Sequence, residues 1–175
     1  MIDYKDLFTE VLRNHNNDPK WEKATFGGIK TLSNTKVGSV GQDFIENLCH
    51  KLNLQCNFPV NTMGKRASQS PLDIQINGIK FELKTATEDT NQHFQFNHIR
   101  YHRQYDALLC LGVSPEKLYF GVWSKADVTT GKAGNLVSME KGANASYKLT
   151  KSHEQLDEVD LFYEQISQFI TKFKT

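Results

Sequence analysis

Apolar and polar positions alternate most sharply on either side of Asn77-Gly78. Asp73-Ile74-Gln75-Ile76 and Ile79-Lys80-Phe81-Glu82-Leu83-Lys84 both run with a period of two, the pattern of a strand with one face buried. Both residues of a tight hairpin turn must accept positive φ, so Asn-Gly between two such runs predicts a hairpin. On its return strand Ile79, Phe81 and Leu83 share one face, and Lys80, Glu82 and Lys84 share the other. Folding the strands back on each other carries Asp73 toward Glu82.

Elsewhere the period lengthens to that of a helix. Residues 3–15 carry Tyr4, Leu7, Phe8, Val11 and Leu12 as one stripe. A second helix is predicted to open at Ser39, with Ser39 and Gln42 as a capping box, a buried stripe of Phe44, Ile45, Leu48, Cys49 and Leu52, and Asn53 as its stop. A third spans residues 156–173, from Leu156 through Phe162, Ile166 and Ile170 to Phe173. Residues 54–60 read as a strand. Residues 105–113 are nearly all apolar, the mark of a strand buried on both faces, and residues 117–123 return beside them. Residues 21–36 and 124–150 show no period: the first reads as an irregular connector, the second as a flexible glycine-containing basic lobe.

Composition adds bounds. The chain has 175 residues, 38% hydrophobic and 23% charged, which suits a single domain over 1–175 with its own core. The core is expected at about 37–123, and the basic lobe and closing helix at 124–175. Three cysteines, Cys49, Cys56 and Cys110, are odd in number and lack metal-ligand spacing, so they read as reduced thiols. No apolar run reaches the ~20 residues of a membrane span and no signal peptide opens the chain, which makes the cytoplasm the expected location and a membrane partner unexpected. Net charge is only +1. Its distribution is uneven: the ends are acidic and the middle segments basic, an arrangement suited to a DNA-facing cleft.

The chemistry concentrates at the hairpin. Two carboxylates held side by side repel unless a cation lies between them, and hard oxygen ligands with open positions suit Mg²⁺. A nearby lysine can hold a water or stabilise charge building on a phosphate. An ordinary amphipathic hairpin with a solvated, salt-bridged face has the same pattern. Around it, Lys65 and Arg66 precede the hairpin, and Gln95, Asn97, His98, Arg100 and Arg103 lie in a segment where Phe94 and Phe96 alternate with hydrogen-bonding side chains. Amides, imidazoles and arginines of this kind read base edges or bind phosphate, and they are equally ordinary surface polarity. Lys132 sits in the basic lobe.

Pro71-Leu72-Asp73 followed by Glu82-Leu83-Lys84 resembles the PD-(D/E)XK signature of type II restriction endonucleases and related DNA-cutting enzymes, with Leu72 inserted between the proline and the acid. The resemblance covers roughly 37–122. It implies an α/β fold, a restriction-endonuclease-like mixed central β-sheet flanked by α-helices, and Mg²⁺-dependent hydrolysis of phosphodiesters in double-stranded DNA. By that resemblance Asp73 and Glu82 are metal ligands, the Leu83 carbonyl is a further ligand, and Lys84 positions the attacking water. A helix before the hairpin often contributes another acid in such enzymes. Here Gln42 stands at that place and Glu46 one turn later, both of which also read as a capping residue and a solvated acid. One such site cuts one strand, so the resemblance implies a homodimer or a heterodimer with a larger recognition subunit. The alternatives are a Holliday-junction resolvase or repair nuclease of the same fold, or a non-catalytic DNA-binding or assembly module.

Overall fold

The computed structural model describes residue 5, residues 18–67, residue 70 and residues 72–175. The helix expected over 3–15 and the proline of the hairpin motif, Pro71, lie outside the described residues. Two short 3₁₀ turns, Pro19–Trp21 and Gly27–Thr31, lead into α1 (Asn34–Lys51). The hairpin forms as read: β2 (Ile74–Ile76) and β3 (Ile79–Thr87) pair Ile74 with Phe81 and Ile76 with Ile79, around Asn77 at φ 46° and Gly78 at φ 90°. With β1 (Cys56–Asn57), β5 (Ala107–Val113), β6 (Leu118–Ser124) and β9 (Asp157–Glu158) they build a six-stranded mixed sheet in the order β1-β2-β3-β5-β6-β9. Only β3 and β5 run parallel. A second, three-stranded sheet consists of β4 (His93–Ile99), β8 (Tyr147–Ser152) and β7 (Leu136–Ser138), in the order β4-β8-β7.

The strand period decides what each face of the large sheet packs against. Ile79, Phe81, Leu83, Ala107 and Leu109 meet α1 and the closing helix α3 (Phe162–Lys174) through Ile45, Cys49, Phe162, Ile166 and Ile170. Ala86, Leu108 and Cys110 point the opposite way, onto Phe94, Phe96, Ile99 and Leu149 of the small sheet and Val128 of a short helix, α2 (Lys125–Thr129). The result is three layers: helices, large sheet, small sheet. Each apolar face finds a partner layer. Among the described residues no helix is long and apolar enough to cross a membrane.

Several sequence readings are corrected. The second helix starts six residues earlier than its capping box suggested: Ser33 is the N-cap, accepting from Lys36 N at 3.4 Å, and Ser39 sits inside the helix with its hydroxyl on Thr35 O at 3.2 Å. Val37, Gly41, Ile45 and Cys49 form the buried stripe that carries the helix through two glycines, because burial at every fourth position outweighs weak glycine propensity. Residues 124–150 are no loose lobe. They hold α2, β7 and the start of β8, and Ala133 and Leu149 are fully buried. The strand expected over 54–60 shrinks to Cys56–Asn57, and β3 runs on beyond Lys84 to Thr87. The closing helix begins at Phe162, since Asp157–Glu158 is diverted into an edge strand against Tyr119 and Phe120.

Candidate functional site

A difference in strand length creates the site. β2 pairs with β3 only from Ile79 to Phe81, so beyond Phe81 the edge of β3 has no strand partner on that side among the described residues. Asp73 bridges the end of the pairing: its amide donates to Phe81 O at 2.9 Å and its Oδ2 accepts from Leu83 N at 2.8 Å. The hairpin register therefore sets Asp73 opposite Glu82, on the face of the sheet that Lys84 shares. From here a cleft of about 700 Å³ opens between the N-terminal half of α1 and the edge strand β4. Asp73, Leu83 and Lys84 form part of its floor.

Glu82 is the unusual residue. Its exposure is 0%, and its Oε2 has no hydrogen-bond partner among the described residues. Two cations approach it: Lys84 Nζ lies 2.6 Å from Oε1 and Arg103 Nη1 3.8 Å from Oε2. Burial pushes its carboxyl above the ordinary carboxylate value, Lys84 opposes that push, and the nearby Asp73 carboxylate adds to it. A second orphan lies close by, the buried Tyr105 hydroxyl. Desolvation, then the field of Glu82, drives that phenol upward from its usual range. Arg103 Nη1 is too far from Glu82 for a hydrogen bond. Its side chain keeps 25% exposure on the cleft wall. The loop that carries it is fixed, because Lys125 Nζ donates to Arg103 O at 2.5 Å and Asp106 exchanges bonds with Lys80 at 2.8 and 2.9 Å.

The donor set can be tested against the Mg²⁺ that the resemblance implies. Among the described residues no group of three His, Cys, Asp or Glu comes together, so the chain offers two carboxylates. Mg²⁺ is bound through one or two carboxylates plus waters and substrate phosphate, whereas an all-protein zinc site needs three or four ligands. Glu82 Oε2, which has no hydrogen bond, and an Asp73 that spends only Oδ2 on Leu83 fit the lighter ligation, with Lys84 already on Glu82 Oε1.

The other residues singled out in the sequence divide. Gln42, Arg66, Gln95, Asn97, His98 and Arg103 all line the cleft. Gln95 and Asn97 are exposed on β4 while Phe94 and Phe96 are fully buried, the alternation read from sequence. Gln95 donates to Asp89 Oδ2 at 3.0 Å, and His98 adopts φ 59° where the β4–β8 register slips. Arg66 is engaged inside the chain: its Nη1 donates to Gln42 Oε1 and Asp43 Oδ1, both at 3.1 Å, its Nη2 to Glu46 Oε2 at 3.0 Å, and it lies 3.9 Å from the Phe58 ring centre. Glu46 is thereby tied to Arg66 and does not reach the cleft lining. Lys65, Arg100 and Lys132 also lie outside it, Lys132 beside Asp127 at 4.0 Å. Sequence reading missed Asn34, Thr35 and Ser39, which bring the first turns of α1 to the cleft. A helix begun at Ser33 would have set Thr35, Ser39 and Gln42 along one face by their spacing.

No protein-family model matches the chain, and no curated protein does. Among solved structures it is similar to a bacterial homing endonuclease, with a TM-score of 0.43 and 14% identity, covering 69% of this chain and 80% of that one. A likeness at this level leaves the chemistry to the site's own residues.

Proposed function

We propose that the chain is a Mg²⁺-dependent endonuclease of the restriction type that hydrolyses phosphodiester bonds in double-stranded DNA. The observation that carries this reading is the fully buried carboxylate of Glu82, set opposite Asp73 and 2.6 Å from Lys84, next to the residues Asp73, Leu83 and Lys84 that line an open cleft. Lys84 alone does not offset the burial, since the Glu82 carboxyl stays above its ordinary range, and a further cation would favour its ionised form. Asp73 and Glu82, with the Leu83 carbonyl, would hold the metal. When bound, it lowers the pKa of a water and neutralises charge on the phosphate.

The chain's own residues supply the rest. Lys84, 2.6 Å from Glu82 Oε1, orients the water that attacks phosphorus as the bond to the leaving oxygen breaks. Arg103 has no hydrogen bond from its guanidinium among the described residues and takes a non-bridging phosphate oxygen. Gln95, Asn97 and His98, on the edge strand that walls the cleft, face the groove, where amide and imidazole groups distinguish bases. One cleft holds one set of these groups, so double-strand cleavage uses two copies or a larger recognition subunit.

Cleavage of mixed-sequence plasmid and phage DNA tests the reading. Wild type with Mg²⁺, with and without host-cell extract, should give nicks or discrete fragments, and Asp73→Ala, Lys84→Ala and chelation with EDTA should abolish them. Cleavage that persists in both variants would reject the site, and no cleavage under any condition would leave DNA binding without catalysis as the function.

A further inference from the structure

Cys49 and Cys56 are seven positions apart in sequence and meet in space. Cys49 lies in the last turns of α1 with no exposure. Leu54 N donates to Cys49 O at 2.9 Å, and Asn53 at φ 55° turns the chain sharply out of the helix, the usual device for ending a helix within a few residues. The strand β1 then begins at Cys56, directly opposite Ile76, so the Cys56 side chain returns to the layer that holds Cys49. The two side chains pack into one core cluster, close enough for each thiol to shift the other's titration. Cys56 is half-buried and reachable, whereas Cys110 is buried on β5, in the core between the two sheets.

From this arrangement we infer that Cys49 and Cys56 are a modification site, a dithiol that hydrogen peroxide closes into an intramolecular disulfide. Cys56 attacks one peroxide oxygen, the O–O bond breaks, and the departing oxygen takes a proton to leave as water, giving a sulfenic acid on Cys56. The Cys49 sulfur then attacks the Cys56 sulfur. The S–O bond breaks, and the Cys49 proton leaves with that oxygen as a second water. Two thiols are oxidised and one peroxide is reduced.

The environment favours this order of events. The neighbouring Cys49 thiol holds the Cys56 thiol below its usual range; burial and Glu46 oppose that, and the Arg66 guanidinium adds to it. Cys49 is held above its usual range by the neighbouring Cys56 thiol and by burial, so it waits as the neutral, resolving partner. Attack by the more acidic and more exposed thiol is the general pattern of reactive cysteines.

The test uses the whole chain and needs no DNA. Folded protein is titrated with hydrogen peroxide at neutral pH, free thiols are blocked, and the digest is mapped. Free thiols should fall from three to one, with Cys49 joined to Cys56, Cys110 still free, and the same linked peptide formed by Cys110→Ser. In Cys49→Ala, dimedone should trap a sulfenic acid on Cys56. The inference is overturned if Cys56 stays a free thiol at peroxide levels that oxidise the exposed Met63, or if it links only to another chain.

Discussion

Glu82 and Glu88 sit six residues apart on one run of chain, share strand parity, and are both buried, at 0% and 4% exposure. Their surroundings are opposite. Glu88 is saturated: Lys20 Nζ donates to Oε1 at 2.6 Å, while the Ser114 hydroxyl and His153 Nε2, the latter at 2.7 Å, both bond Oε2. A carboxylate only accepts, so the His153 proton resides on Nε2. Burial opposes ionisation of Glu88, but the bonds from Lys20, Ser114 and His153 prevail and hold its carboxyl below the ordinary range. Glu82 has Lys84 on Oε1 and no hydrogen bond to Oε2, and burial pushes its carboxyl up. A buried acid whose bonds hold it ionised serves the fold; one whose partners do not offset its burial is available to a further cation.

That contrast is open to direct attack. The largest expected effect is on catalysis: Glu82→Gln should lower plasmid cleavage by at least ~100-fold, the order seen when an electrostatic group of a site is removed, and Glu88→Gln should leave most of it.

Stability should respond in the reverse order. Glu88→Ala strands Lys20 and His153 and should cost about 3 kcal/mol, as removing one partner of a buried ion pair does, read from the denaturant midpoint. Glu82→Gln should be neutral or stabilising in EDTA, because it relieves a buried charge. Next comes Gly41→Ala. A Cβ there would stand 1.9 Å from Thr85 Oγ1 and 2.9 Å from Thr85 Cβ, so α1 must lift from β3, at about 1–3 kcal/mol.

The smallest effect is a slope. Glu82 binds its proton more tightly folded than unfolded, so its contribution to stability is fullest below the ordinary value of 4.5 and is lost as pH rises from there through the raised folded value. Glu88 has the opposite sign: its contribution is present above 4.5 and is lost as pH falls through the depressed folded value. Denaturant midpoints across this range should therefore show Glu82→Gln gaining on wild type as pH rises above 4.5, and the Glu88→Gln deficit shrinking as pH falls below it.

What the sequence reveals and what it hides follow from locality. Asn77-Gly78 and the flanking alternation give away the hairpin, and its register alone brings Asp73 to Glu82. The seven apolar residues of β5 can only be a buried strand. The small sheet is hidden because β8 pairs with β4 some fifty positions away and β7 has three residues, too few to show a period. The start of α1 is hidden by Gly38 and Gly41, and by a serine that looks like a cap but is held inside the helix by Thr35. The two roles of buried glutamate cannot be read locally at all. Lys20, Ser114 and His153 are scattered along the chain, and no neighbouring residue marks Glu88 as satisfied or Glu82 as waiting.

The central claim rests on Glu82, and one assay reaches it most directly: nicking of supercoiled plasmid by Glu82→Gln and Glu88→Gln at a temperature where both are folded, across a Mg²⁺ titration. The account predicts Mg²⁺-dependent nicking by Glu88→Gln and none by Glu82→Gln at any Mg²⁺ concentration. Equal nicking by the two variants would contradict it.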